Sequence, residues 1–90
     1  MSYRTIALQT LQNTAEKLDG AGFDVDEGAE SVTIHTSAGL YLLNYHGTVD
    51  QIWLSSPKTG AHHFVYENEK WRSTRHPVFL DDVLKAELLS

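Results

Sequence analysis

Residues 51–57 read QIWLSSP. If this stretch is a strand, its side chains alternate between two faces, so Ile52 and Leu54 point one way and Gln51, Trp53 and Ser55 the other. The largest side chain of the set then shares a face with a glutamine and a serine. Two readings are open. Trp53 stands on a sheet face that no helix covers, or it belongs to the core and a bulge exposes its polar neighbours. What the rest of the chain can lay over the sheet decides between them.

Working outward, the apolar pattern changes period twice. Ala7, Leu11, Ala15 and Leu18 step by four, four and three, which puts them on one helical stripe that Tyr3 extends. Gly20 and Gly22 stop that helix. FDVDE (23–27) has period two, SVTIHTS (31–37) is a β-branched run, and Ala38-Gly39 turns it into LYLLNYH (40–46). Gly47 breaks that strand before QIWLSS begins. Pro57 to Gly60 is a turn. AHHFVYE (61–67) then pairs with KWRSTR (70–75) across Asn68-Glu69, where Asn accepts a left-handed conformation. Finally, FLDDVLKAELL (79–89) places Leu80, Val83, Leu84 and Leu88 at helical spacing.

The order is helix, about six short strands, helix. Strands joined by tight turns are antiparallel, and two amphipathic terminal helices lie together on one face of the sheet. The expected fold is α+β, a two-layer sandwich forming a single domain over residues 1–90. Ile52 and Leu54 belong under its helices, which leaves Trp53 on the bare face. An exposed tryptophan flanked by polar residues is what a protein-binding hot spot looks like.

Composition narrows the function. Ninety residues make one core, with stability on the order of 5 to 13 kcal/mol. An apolar share of 41% and a charged share of 21% are those of an ordinary globular domain. The absence of cysteine excludes disulfides, thiolate metal sites and a cysteine nucleophile. A net charge of −5 without any basic run argues against nucleic-acid binding. The longest apolar run is far short of a membrane span. MSYRTIALQT carries no long apolar h-region and no long Arg/Ser-rich leader, so a targeting signal is absent, already removed, or left out of this sequence.

Asn44, the turn after it, and QIWLSSP with Gly60 three residues on together resemble the central signature of the frataxin family. Phe64, Tyr66 and Trp71 match its aromatic positions, and Val78–Leu88 matches its second helix. The resemblance is specific from Leu40 to Leu88; before Leu40 only the order of helix, acidic first strand and second strand matches. It implies a small regulator, most simply a monomer. Such a protein binds a complex of cysteine desulfurase and scaffold protein, modulates sulfur transfer in iron–sulfur cluster assembly, and binds Fe(II) weakly on an acidic ridge.

Residue by residue, Asn44, Gln51 and Trp53 fall on the family's partner-contacting positions. Strand parity reaches Gln51 and Trp53 independently. It leaves Asn44 undecided, because exposing Asn44 also exposes Leu42. His63 stands where many members carry a partner-binding arginine, so that contact is expected to vary with pH. The usual Lys-Gln-x-Pro-like turn after Asn is replaced here by Tyr45-His46-Gly47-Thr48.

For the ridge, Glu16 and Asp19 share one helical face, where negative charge near the helix end opposes the macrodipole. Asp24 and Asp26 share one face of the first strand, Glu27 follows, and Asp24 best matches a recurring acidic position of the family. The plain alternative is a solvated edge whose charges discourage aggregation. Where relatives line the first helix with further carboxylates, this chain has Gln9, Gln12 and Asn13. The expectation is therefore weak Fe(II) binding confined to the helix end and first strand.

The remaining candidates read as structure. His62 and His63 point to opposite faces and cannot chelate one ion together, and His35, His46 and His76 have no partner at ligand spacing. Ser55-Ser56-Pro57 lacks the context of a nucleophile. Asp81 and Asp82 suit the first turn of the last helix. Phe79 stands where relatives often place a capping Ser or Thr, a loss of about 1 kcal/mol. Many relatives also continue with a tail between the helices, so a groove is expected there. Together these predict marginal stability, with a thermal midpoint no higher than the usual ~45 to 65 °C.

Three functions compete. The first is a regulator docking through Asn44, Gln51, Trp53 and His63. The second is an iron chaperone whose main activity is delivery. The third is a ferroxidase, for which the sequence supplies no ordered ligand set, so no enzymatic role is expected. IWLSSP looks more like mitochondrial relatives, which favours the mitochondrial matrix or a mitosome; the alternative is a bacterial cytoplasm.

Overall fold

The first helix, α1, spans Tyr3–Gly20, and its two ends are closed by different chemistry. At the start, Ser2 is the N-cap and its hydroxyl accepts the Thr5 N–H at 3.2 Å. At the end, the Phe23 N–H reaches the Leu18 carbonyl and the Gly22 N–H reaches the Asp19 carbonyl, each at 3.0 Å. That pair of bonds needs a left-handed residue, and Gly22 supplies it at φ 96°. Gly20, expected to stop the helix, is its last residue.

The computed structural model describes residues 2–89. After α1 come β1 (Asp24–Glu27), β2 (Ser31–Thr36), β3 (Gly39–His46), β4 (Gln51–Ser56), β5 (Gly60–Glu67) and β6 (Lys70–Ser73). The helix α2 (Leu80–Leu84) runs on into a π-helical turn, Lys85–Leu89. The six strands form one sheet in sequence order, every neighbouring pair antiparallel. Asn68 and Glu69 both take positive φ in the β5–β6 hairpin, as a two-residue turn requires. Both helices cover the same face, so the fold is the α+β two-layer sandwich.

The core lies between the layers. From α1 it takes Ala7, Leu11, Ala15 and Leu18; from α2, Leu80, Val83 and Leu84. The sheet contributes alternate residues, Val32 and Ile34, then Tyr41, Leu43 and Tyr45, then Ile52 and Leu54, with Phe64 and Trp71. Trp71 also clamps α1 to β6, since its Nε1–H donates to Thr10 Oγ1 at 3.0 Å. Tyr3 does not continue the stripe inward. It remains 50% exposed and meets Tyr66 edge-on at 6.4 Å.

The C-terminal segment departs from the expected regular helix. α2 keeps 3.6-residue spacing through Leu84 and then widens, leaving Leu88 half-buried. The widened turn brings Glu87 over the β4–β5 turn, where its carboxylate accepts hydroxyl hydrogens from Tyr41 (3.1 Å), Ser56 (2.5 Å) and Thr59 (2.8 Å). Partial burial pushes this carboxyl up, but the bonds from Ser56, Thr59 and Tyr41, with His62 nearby, hold it below the usual carboxylate range. Phe79 is the N-cap of α2 without a side-chain cap bond, and Asp82 compensates by accepting the Phe79 N–H at 3.0 Å. A cleft of about 560 Å³ opens between α1 and the start of α2, floored by Trp71.

Candidate functional site

The uncovered face of the sheet is built by register. β3 pairs with β4 so that Asn44 lies opposite Trp53, and β4 pairs with β5 so that Trp53 lies opposite His63. The three side chains form a row across the middle strands, and His46 lies opposite Gln51 one step nearer the β3–β4 hairpin. This is the arrangement that alternation in QIWLSSP predicts, and no bulge interrupts β4.

Within that row Trp53 is held on three sides. The His46 ring stacks on it with centroids 3.6 Å apart and planes 25° from parallel, and the His63 ring stacks at 4.1 Å and 9°. Two rings this close to one indole centroid must occupy its opposite faces. The Trp53 Nε1–H donates to Gln51 Oε1 at 2.7 Å. The indole is thus fixed before any partner arrives, half-buried rather than waving in solvent. Pre-ordering removes part of the side-chain entropy that binding costs, about 0.5–1.5 kcal/mol per immobilised side chain.

Asn44 shares this face. Leu40 and Leu42 accompany it outward, 56% and 37% exposed, while Tyr41, Leu43 and Tyr45 face the core. Apolar area on the bare face therefore extends beyond the tryptophan along β3. His46 belongs to the same cluster, although the sequence assigns it no partner. The signal that finds it is the hairpin register: His46 is two residues from Asn44 on one strand and opposite Gln51 on the next.

The acidic candidates are spread over both layers. Glu16 and Asp19 are exposed on the last turns of α1. Asp24 and Asp26 lie on the open face of β1, opposite His35 and Thr33, whereas Glu27 pairs with Val32 and has the other parity. Asp26 Oδ2 already meets His35 Nε2 at 2.7 Å. Among the described residues, no group of three or more carboxylates and imidazoles converges on one point that holds a metal ion. A cation at Asp24 and Asp26 would meet two carboxylates on neighbouring like-facing positions and compete with His35 for one of them. Such a donor set suits a weakly held, largely hydrated ion.

Comparison with known proteins bears on the family and the fold. The frataxin-like domain family matches residues 2–90. The chain is 32% identical over 84 residues to the mitochondrial frataxin of Arabidopsis thaliana, covering 90% of this chain and 45% of that protein. It is 32% identical over 96 residues to the mitochondrial frataxin of Caenorhabditis elegans, covering 94% of this chain and 71% of that one. The chain thus spans less than half the length of the Arabidopsis relative.

Among solved structures, it superposes on trimeric frataxin from Saccharomyces cerevisiae with a TM-score of 0.87 at 28% identity, over 93% of this chain and 76% of that one. The same yeast protein complexed with ferrous iron gives 0.80 at 30% identity, over 99% and 84%. Frataxin from Psychromonas ingrahamii gives 0.83 at 25%, over 93% and 82%. On the family match and these relatives together, the chain belongs to the frataxin family.

Proposed function

We propose that this protein is a regulator of iron–sulfur cluster assembly that docks its open sheet face onto a cysteine desulfurase–scaffold complex and modulates sulfur transfer. The observation that carries the reading is the fixed indole of Trp53, stacked between His46 and His63 and bonded to Gln51, on the sheet face opposite the one that the two helices cover. Trp53, Gln51, Asn44 and His63 are the contact residues, with Leu42 beside them. The carboxylates of β1 and of the α1 end steer the approach to a basic partner surface. The protein acts as a monomeric regulator rather than as an enzyme. Its compartment is the mitochondrial matrix or a mitosome, in keeping with the mitochondrial relatives; a bacterial cytoplasm is the alternative. Isothermal titration of the desulfurase–scaffold complex with wild type and Trp53→Ala tests the docking. Binding weakened by roughly 2 kcal/mol or more is the expected result for a hot spot, and equal affinities would remove the open face from the reading.

The second reading, iron delivery through Glu16, Asp19, Asp24, Asp26 and Glu27, is favoured by the yeast relative whose structure is complexed with ferrous iron. Iron here is cargo. Charge reversal at Asp24 and Asp26 separates the readings, since it abolishes delivery if these carboxylates hold the ion but only slows docking if they steer.

A further inference from the structure

A second cleft, of about 310 Å³, lies where the β4–β5 turn and the start of β5 face the segment after β6. Thr59, His62, His63, Ser73, Arg75 and His76 line it, and no carboxylate does. In a chain of net charge −5 that lining is distinctive. The wall is held by one side-chain hydroxyl and one backbone bond. Ser73 Oγ accepts the N–H groups of Arg75 and His76, each at 3.2 Å, and the Thr74 N–H donates to the His63 carbonyl at 2.9 Å.

Two details say what this cleft can hold. Arg4 and Arg72 are paired with Glu30 and Glu67, so Arg75 is the one arginine without a carboxylate partner among the described residues. The second concerns His62. Thr59 Oγ1 has a single hydrogen and gives it to Glu87 Oε2 at 2.8 Å, so the contact of 2.7 Å between Thr59 Oγ1 and His62 Nε2 must be a bond donated by the imidazole. His62 therefore carries its proton on Nε2, next to the Glu87 charge. A metal cation is the wrong guest, because a guanidinium stands in the lining and no three ligands converge.

We propose that this cleft binds a small multivalent oxyanion, a phosphate or a dicarboxylate, held by Arg75 with His76 and His62. Arginine presents several donors in a fixed fork suited to such groups. The His76 imidazole adds a ring N–H donor beside it, and the His62 ring, its Nε2–H given to Thr59, forms part of the wall. The other charges facing them are few. Glu87 lies behind Thr59, Lys58 Nζ lies 3.5 Å from the Glu87 carbonyl, His63 is stacked on Trp53, and Arg72 on β6 is tied to Glu67. The inference does not depend on the docking reading, and its test uses no partner protein.

The test follows backbone amides by NMR while sulfate is added to the free protein, with chloride at matched ionic strength as reference. Saturable shifts at Ala61, His63, Arg75 and His76 with sulfate alone are expected. Arg75→Gln abolishes these shifts, and Arg4→Gln, which alters an arginine elsewhere, leaves them intact. Both residues are exposed, so both variants fold. Shifts that chloride reproduces, that survive Arg75→Gln, or that vanish equally in Arg4→Gln overturn the proposal. Parallel titrations with inorganic phosphate and with succinate identify the physiological class. Saturation by either supports the site, and saturation by neither overturns it.

Discussion

The chain's two tryptophans occupy the two sides of one sheet and are treated in opposite ways. Trp71 is 5% exposed on the helix side, and its Nε1–H is bonded to Thr10 of α1. Trp53 is half-buried on the bare side, clamped by two imidazoles and bonded to Gln51. Both indoles are fixed and both have a satisfied N–H. The difference lies in what fixes them. Trp71 is held by the fold and helps to hold it. Trp53 is held by neighbours on its own face, which leaves its position independent of the core. A small domain that must both fold and bind can separate the two tasks in this way, one face to each.

That separation is open to attack in order of expected effect. Trp71→Ala opens a cavity under α1 and removes the clamp on Thr10, so urea unfolding should show a loss of about 3–5 kcal/mol. A loss below about 1 kcal/mol would mean that the closed face does not carry the stability. Glu87→Gln comes next, since three hydroxyl donors lose their charged acceptor at a cost of about 1–3 kcal/mol at neutral pH.

The Glu87 effect has a direction in pH. The folded carboxyl is held below its ordinary value, so its contribution is full above the unfolded value of about 4.3 and is lost as pH falls through the folded one. Wild type and Glu87→Gln should therefore converge in stability as pH falls below the ordinary carboxylate range, and a gap that stays constant as the pH is lowered through it would count against the arrangement. Trp53→Ala should cost only about 1 kcal/mol of stability, the worth of its stacked neighbours. A cost equal to that of Trp71→Ala would erase the distinction between the faces. Arg4→Ala, which removes an exposed ion pair with Glu30, should change stability by less than about 1 kcal/mol.

Much of this contrast is legible in the chain. Alternation assigns Ile52, Leu54, Gln51 and Trp53 to their faces correctly because β4 is regular and period two is unambiguous over six residues. Asn44 is not settled that way: LYLLNYH is apolar at both parities, and only the core-facing tyrosines of β3 show which parity is inside. His46 escapes because its partner lies across a loop, where spacing along the chain carries no signal. The π-helical turn escapes for a different reason. The stripe through Leu88 keeps helical period, while the hydrogen bonds that Glu87 accepts in the widened turn come from Tyr41, Ser56 and Thr59, distant in sequence. The acidic residues were all visible, but not their division between α1, the open face of β1 and the opposite parity of Glu27.

The most direct test of the account is sulfide production by a cysteine desulfurase–scaffold complex, measured with and without this protein, for wild type and Trp53→Ala. Wild type is expected to change the rate, and Trp53→Ala, folded and nearly as stable, is expected not to. An equal effect of both proteins would contradict the assignment of function to the open face. The absence of any wild-type effect, with iron present, would contradict the regulator reading itself.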